Sequence, residues 1–247
     1  MKKNAIIAGR MPVIEALESG RAIDKILFQR NASGESLGDI RRLAKEKNVP
    51  IQIVPPEKLL GFTKVNHQGV LAFAAQVQYL GLQEVIDHIV SNGNIPFFLI
   101  LDGVTDTRNI GAIARTCLCC GVQAIVIPDK GVGSMNEEAI KSSAGALDRI
   151  NICRTGSLLR AVETLHLNGI NVYASDVNSP EKVFDLNLVD PSCIILGSEG
   201  SGISPHLLRV ADKSFSIPMA GDFNSLNVSV AAGIIMFEGM KQRMRTK

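Results

Sequence analysis

The chain has 247 residues, 46% hydrophobic and 20% charged, with a formal net charge of +2. That length buries one large core or two modest ones, and the composition is ordinary for a globular protein. The longest apolar runs, "IPFFLIL" and "AAGIIMF", are too short to cross a bilayer, the N-terminus does not read as a secretory signal, and five cysteines without framework spacing fit a reducing cytoplasm.

Charge is unevenly spread. Residues 1–77 hold 12 Lys+Arg against 7 Asp+Glu, or +5, and residues 78–247 hold the other 14 against 17, or −3. A basic first third fits a polyanionic partner, and it equally fits a lysine-rich solvated surface. In chain order, "PVIEALESG" has helical spacing and a glycine stop, and "DKILFQR" reads as a strand. "SLGDIRRLAKEKN" follows as an amphipathic helix, "VPIQIV" as a strand, "PPEKLLGF" as a proline-started helix and "GVLAFAAQV" as a strand. The helix "GLQEVIDHIVSNGN" then reads as a link, giving an N-terminal α/β domain over 1–77, a linker over 78–94 and a larger domain over 95–247. In the larger domain "PFFLILD", "AIVI", "INVYASD", "CIILG" and "SFSIPM" are near-continuous apolar strands, the pattern of a parallel sheet covered on both faces.

Three segments begin where such strands end, the edge at which open α/β sheets bind ligands. In "LDGVTDTRNIGAIARTCLCCG", Asn109 reads as an N-cap with Ile110 opening the helix. Arg115 then lies one turn past Gly111 and is expected to reach back over the space that the glycine leaves, although an ordinary surface arginine fits the same pattern. In "CIILGSEGSGISPHLL", three glycines surround Glu199 in a loop that lets backbone amides approach a ligand, and Ser204-Pro205 is a strong helix start. Glu199 reads first as the organiser of that loop, with an acid or base role as the sharper alternative. In "SIPMAGDFNSLNVSVAAGI", capping needs one polar side chain and the segment offers Asn224, Ser225, Asn227 and Ser229. That surplus favours a bound ligand, with a helix starting near Ser225.

Sharper motifs fail. There is no P-loop, and "GSEGSG" is not a dinucleotide fingerprint. Cys117, Cys119 and Cys120 fall at a helix end, away from the dipole that activates redox thiols, and read as small buried hydrophobes. Four scattered histidines and a single C-x-x-C make a metal site an unsupported reading.

Taken together and in order, "LDGVTDTRNIGAIART", "IILGSEGSGIS" and "SIPMAGDFNSLNVSVAAGI" resemble the three signature motifs of the SpoU/TrmH branch of the SPOUT methyltransferases, over residues 96–240. "IIAGRMPVIEAL" and "HQGVLAF" are similar to that family's N-terminal RNA-binding domain. The resemblance implies an α/β fold: a trefoil-knotted parallel-sheet catalytic domain behind a small α/β RNA-binding domain. It implies a cytoplasmic homodimer, built on the last helix, that moves a methyl group from S-adenosylmethionine to a ribose 2′-hydroxyl, without a metal. Gly197, Ile217 and Leu226 would mark the cofactor pocket, with Leu196, Met219 and Ser225 beside it. Arg115 would act on the hydroxyl, either as a base or, more easily for a guanidinium, by holding the adjacent phosphate. Asn109 and Glu199 would shape the site and Asn227 would assist. Thr107 departs from the proline that the family often has there. The extra N-terminal domain implies a guanosine of 23S ribosomal RNA, in the peptidyl-transferase region, as substrate. A tRNA guanosine is the alternative, and another ribosomal RNA position a third. An RNA-binding ribosome assembly factor without catalysis is the rival of a different class, opposed by the intact Asn109, Arg115, Glu199 and Asn227.

Overall fold

The computed structural model describes residues 6–221 and 225–245. The chain divides into two compact units, one comprising residues up to Gln78 together with Met135–Glu137, the other the remainder from Tyr79.

The first unit runs β1 (Ile6–Ala8), α1 (Arg10–Glu18), β2 (Ile23–Gln29), α2 (Glu35–Glu46), β3 (Ile51–Val54), α3 (Pro56–Leu60) and β4 (Val70–Ala74). The strands form a mixed sheet in the order β1-β4-β2-β3, with β4 antiparallel to both neighbours and β2 parallel to β3. Strand β1, too short to announce itself in sequence, was not expected. Helix α2 turns Leu37, Ile40, Leu43 and Ala44 inward at helical spacing and packs them with Ile26, Phe28 and Val70 of the sheet.

The second unit continues with β5 (Tyr79–Leu80), α4 (Leu82–Ser91), β6 (Phe97–Asp102), α5 (Thr107–Cys119), β7 (Ala124–Pro128), α6 (Glu137–Ser143), β8 (Asn151–Thr155), α7 (Leu158–Leu167) and β9 (Asn171–Ser175). Then follow β10 (Ser192–Gly197), α8 (Pro205–Val210), β11 (Lys213–Phe215) and α9 (Val228–Arg245). Residues 78–94, expected as a linker, hold β5 and α4, whose Val85, Ile86 and Ile89 are buried in this unit's core. The seven strands pair in the order β11-β9-β10-β6-β7-β8-β5, every ladder parallel. Residues Phe97 to Leu101 of β6 are fully buried, each large side chain contributing about 1.5–3 kcal/mol. Strand β8 escapes a hydrophobicity reading because Asn151 and Arg154 interrupt it; Arg154 is buried, its guanidinium stacked 3.8 Å from the Tyr79 ring.

Sheet order reverses between β6 and β10. From β6 the chain builds outward through β7 and β8; it then crosses to β9 and returns to β10, which pairs with β6 in a register that sets Gly197 beside Asp102. This reversal opens a crevice at the strands' C-terminal ends. Helix α9 spans about 27 Å, starting at that edge and finishing at the opposite one. There Arg243 donates to the carbonyls of Leu188 (2.7 Å), Ile95 (3.0 Å), Pro96 (3.0 Å) and Asp190 (2.9 Å) and lies over the Phe97 ring. Burial pulls its pKa down to about 10, so it stays charged at neutral pH and clamps the helix. Gly239 lets α9 settle on β6: a Cβ there would stand 2.6 Å from Phe97 Cζ. The expected trefoil knot turns on the passage from Met219 to Ser225, which includes residues 222–224, outside the described residues.

Helix α9 is buried on one side only. Val228, Ala232, Ile235, Met236 and Gly239 are buried, while Val230, Ile234 and Phe237 stand 50%, 40% and 56% exposed on the other side. No helix among the described residues is long and apolar enough to cross a membrane.

Candidate active site

Helix α5 starts three residues earlier than expected, because Asp106 and not Asn109 is the N-cap. The Asp106 carboxylate accepts from the Arg108 amide at 2.8 Å. The Arg108 side chain also donates to it and holds its pKa below the ordinary range, so the cap is charged at neutral pH. Asn109 is therefore released from capping and sits inside the first turn. Thr107, where the family often has proline, donates its hydroxyl to Glu138 at 2.9 Å.

Asn109 instead meets the other two segments. Its amide donates to Glu199 Oε1 at 3.2 Å; Asn227 donates to the same oxygen at 2.6 Å and to Asn109 Oδ1 at 3.3 Å. The backbone N–H of Val228 adds a further bond to Glu199 Oε1 at 3.3 Å. One carboxylate oxygen so gathers the start of α5, the loop after β10 and the start of α9. Helix α9 begins at Val228 rather than near Ser225, with Asn227 as its cap, Oδ1 accepting from the Ser229 amide (2.9 Å) and hydroxyl (2.6 Å). Asn227 caps with its oxygen and serves the network with its nitrogen. Asn224, of the same polar stretch, lies outside the described residues.

The loop after β10 is folded tightly. Ser198 and Gly202 exchange backbone hydrogen bonds (3.2 and 3.0 Å), and the Ser204 amide donates to Asp102 at 2.7 Å, tying the ends of β10 and β6 together. Ser204 is at the N-cap of α8, as expected, but makes no side-chain cap bond. Gly197 has no room for a side chain: a Cβ would overlap the backbone of Gly202 and Ile203.

Beside this loop lies a cavity of about 400 Å³, within the range that holds small molecules and cofactors. Leu196, Gly197, Ile217, Met219, Ser225 and Leu226 all line it, as does Glu199. The end of β9, Ser175 to Asn178, forms a further wall that the sequence reading missed. Its only signal was polar residues following an apolar strand at the ligand-binding edge. The lining mixes aliphatic side chains with hydroxyls and loop backbone, which suits a ligand with one apolar ring face and several polar groups.

Arg115 does not line this cavity. The space at Gly111 that it was expected to overhang is filled by α6: a Cβ there would collide with Ser142 Oγ and the backbone of Ala139 and Ser143. At about 100° per residue, Arg115 projects roughly 120° around α5 from Asn109. It is exposed and makes no side-chain hydrogen bond or ion pair among the described residues.

The cysteines behave mainly as packing. Burial raises the thiol pKa of Cys117, Cys120, Cys153 and Cys193, that of Cys153 to about 12, whereas Cys119 is exposed.

The sequence pattern of the SpoU rRNA methylase family matches residues 96–237, and that of the RNA 2′-O ribose methyltransferase substrate-binding family matches residues 6–80. A Staphylococcus epidermidis protein assigned by name to the TrmH family of tRNA/rRNA methyltransferases is 34% identical over 98% of this chain and 97% of its own. Among solved structures, the AdoMet-bound rRNA methyltransferase of Sinorhizobium meliloti aligns over 96% of this chain and 86% of its own, at 22% identity and a TM-score of 0.61. The TrmH/SpoU tRNA modifying enzyme of A. aeolicus aligns over 67% of this chain and 85% of its own, at 24% identity and a TM-score of 0.55. At such identities the solved structures establish the fold.

Proposed function

Because this chain belongs to the SpoU rRNA methylase family, we propose that it uses S-adenosylmethionine to methylate the ribose 2′-hydroxyl of a guanosine in 23S ribosomal RNA. RNA 2′-O-ribose methylation of tRNA or rRNA is the coarser reading that the two family matches carry. Ribosomal RNA is favoured over tRNA by the first unit: the rRNA enzyme aligns across nearly all of the chain, the tRNA enzyme across two thirds.

The observation that carries the reading is the cavity at the C-terminal ends of β9 and β10, whose wall includes Glu199 of the Asn109–Glu199–Asn227 network. Its residues fit the cofactor. Gly197 brings loop backbone to the cavity wall, and Leu196, Ile217 and Leu226 offer apolar surface. When bound, the cofactor supplies an electrophilic methyl on a sulfonium. The chain's own residues must then place a ribose hydroxyl in line and accommodate its proton. Glu199, fixed by three donors to one oxygen, sets the loop and keeps Asn109 and Asn227 in place. Arg115 holds the neighbouring phosphate with its fork of donors.

Arg115 does not line its own chain's cavity, and the family resemblance implies a homodimer, so the reading assigns Arg115 to the site of a second copy. The exposed apolar stripe Val230, Ile234, Phe237 and Met244 on α9, spaced by four, three and seven residues, is the seam on which two copies meet. Phe237→Glu is expected to yield a folded monomer with methyl transfer reduced at least about 100-fold, read by light scattering and activity together. A dimer of unchanged activity would remove this seam. The assembled enzyme is placed in the cytoplasm, where its RNA is.

The test of function is methyl transfer from labelled S-adenosylmethionine to unmodified ribosomal RNA and tRNA in parallel. Label recovered as 2′-O-methylguanosine from 23S RNA is the expected result. Label confined to tRNA would transfer the activity to the other substrate, and RNA binding without label in either would favour an assembly factor.

A further inference from the structure

Three loops of the first unit meet at one end of its sheet. They follow β1 (residues 9–10), follow β2 (30–34) and precede β4 (61–69), and antiparallel pairing of β4 with both strands brings them together. Arg10 welds them. Its guanidinium donates to Ser33 O at 2.8 Å and to Gln68 O at 3.1 Å, while its backbone N–H donates to Gln68 Oε1 at 3.2 Å. Gly34 has no side chain where the Arg10 guanidinium lies, and a Cβ at Gly69 would press to 3.1 Å from that of Ala32.

The backbone here takes positive φ at five positions, Gly9, Asn31, Gly34, Gln68 and Gly69, and for Gln68, at +50°, that carries a steric cost. The strain is held locally: Asn66 Oδ1 accepts from the Gln68 amide at 3.2 Å and His67 Nδ1 accepts from the Gly69 amide at 3.0 Å. Strain of this kind collects at functional surfaces.

The exposed side chains supply one. The Arg30 guanidinium, Asn31 amide and Lys64 ammonium are exposed and make no side-chain hydrogen bond or ion pair among the described residues. Neither the three loops nor Arg10 includes an acidic residue; Glu35, opening α2, is the adjacent carboxylate. Arg10 itself is spent on the backbone, so it is a positioning residue and the free donors are the contacts.

We propose that this loop cluster is where the first unit grips RNA, with Arg30 and Lys64 on phosphates and Asn31 on a base edge of an unpaired segment. Fixed amide donors on a rigid polar surface read splayed nucleotides, which a paired A-form helix does not present. The inference rests on the RNA reading above and locates its contact surface.

The test uses the full-length protein and transcribed 23S RNA, with binding measured by filter retention across salt concentrations. Arg30→Ala/Asn31→Ala is expected to weaken RNA binding about tenfold and to lower the salt slope by about one, with S-adenosylmethionine affinity unchanged. Arg10→Lys is expected to weaken RNA binding and to speed amide exchange in residues 31–34 and 66–69, because an ammonium does not reproduce the fork. Lys45→Ala/Lys47→Ala, at the far end of α2, removes more charge and is the control expected to bind as the wild type does. Equal losses at both ends would overturn the proposal in favour of diffuse attraction, as would Arg30→Ala/Asn31→Ala binding within twofold of wild type. A wild-type protein that binds no RNA would instead overturn the functional reading itself.

Discussion

Arg115→Ala is expected to lower methyl transfer by about 10²–10³-fold, the scale for removing one preorganised donor from a transition state, and to leave the fold intact. The stability expectation follows from exposure: a surface side chain without partners changes stability within about 0.5 kcal/mol. The activity expectation follows from what a guanidinium does for a ribose–phosphate unit. Geometry adds a sharper result. With Arg115 directed away from Asn109 on α5 and absent from the lining of the Glu199 cavity, the proposed dimer assigns the arginine and the cavity that it would serve to different copies. Arg115→Ala and Glu199→Ala are each expected to be inactive alone. Mixed and re-annealed, they recover about a quarter of wild-type activity, because half of random dimers are mixed and each of those has one intact site. If both residues served one chain's site, every mixed dimer would have two broken sites and the mixture would stay inactive. Per-chain affinity for S-adenosylmethionine separates loss of chemistry from loss of the pocket in both variants.

The fold was legible where one face or both faces of an element are buried. Residues 97–101 of β6 read as strand because no polar residue interrupts them, and α2 because its apolar residues recur at helical spacing. What escaped was set by tertiary partners. Strand β8 carries Arg154 in a buried position because Tyr79, from an edge strand 75 residues earlier, offers its ring. The N-cap of α5 was misplaced for a related reason. Asp106 and Asn109 are both good caps in isolation; Asp106 takes the cap, and the partner that then holds Asn109 is Glu199, ninety residues away.

The candidate site was legible as a set of segments and not as geometry. The surplus of polar side chains before α9 pointed to more than capping, and Asn227 divides its two ends between those jobs. The wall formed by Ser175 to Asn178 carries no motif and emerges only when β9 is placed beside β10. Arg115 was singled out with a wrong local argument. A glycine one turn away was read as room for its side chain, whereas that room admits α6. Sequence spacing fixes which residues share a helix face, but not which neighbour occupies it.

Gly197→Ala is the substitution expected to cost most at the cavity proposed to hold the cofactor. An added methyl would overlap Gly202 C and O and Ile203 N, all backbone atoms that have no rotamer by which to move aside. Ser198 and Gly202 are hydrogen-bonded across the same turn, and Ser204 is tied to Asp102, so the loop yields only by opening. Overpacking of this kind costs about 1–3 kcal/mol. Opening also moves Glu199, which gathers Asn109 and Asn227, so the network loosens along with the wall. Affinity for S-adenosylmethionine, measured by calorimetry, is expected to fall at least about 100-fold, the equivalent of roughly 2.7 kcal/mol, alongside a lowered melting temperature. Gly156→Ala is the matched control. Nothing lies within 4 Å of its Cβ position, and its backbone is not in the left-handed region. That substitution is expected to leave both quantities unchanged. A Gly197→Ala protein that binds the cofactor within threefold of wild type would place the cofactor somewhere other than this cavity, and the assignment of Leu196, Ile217 and Leu226 would go with it.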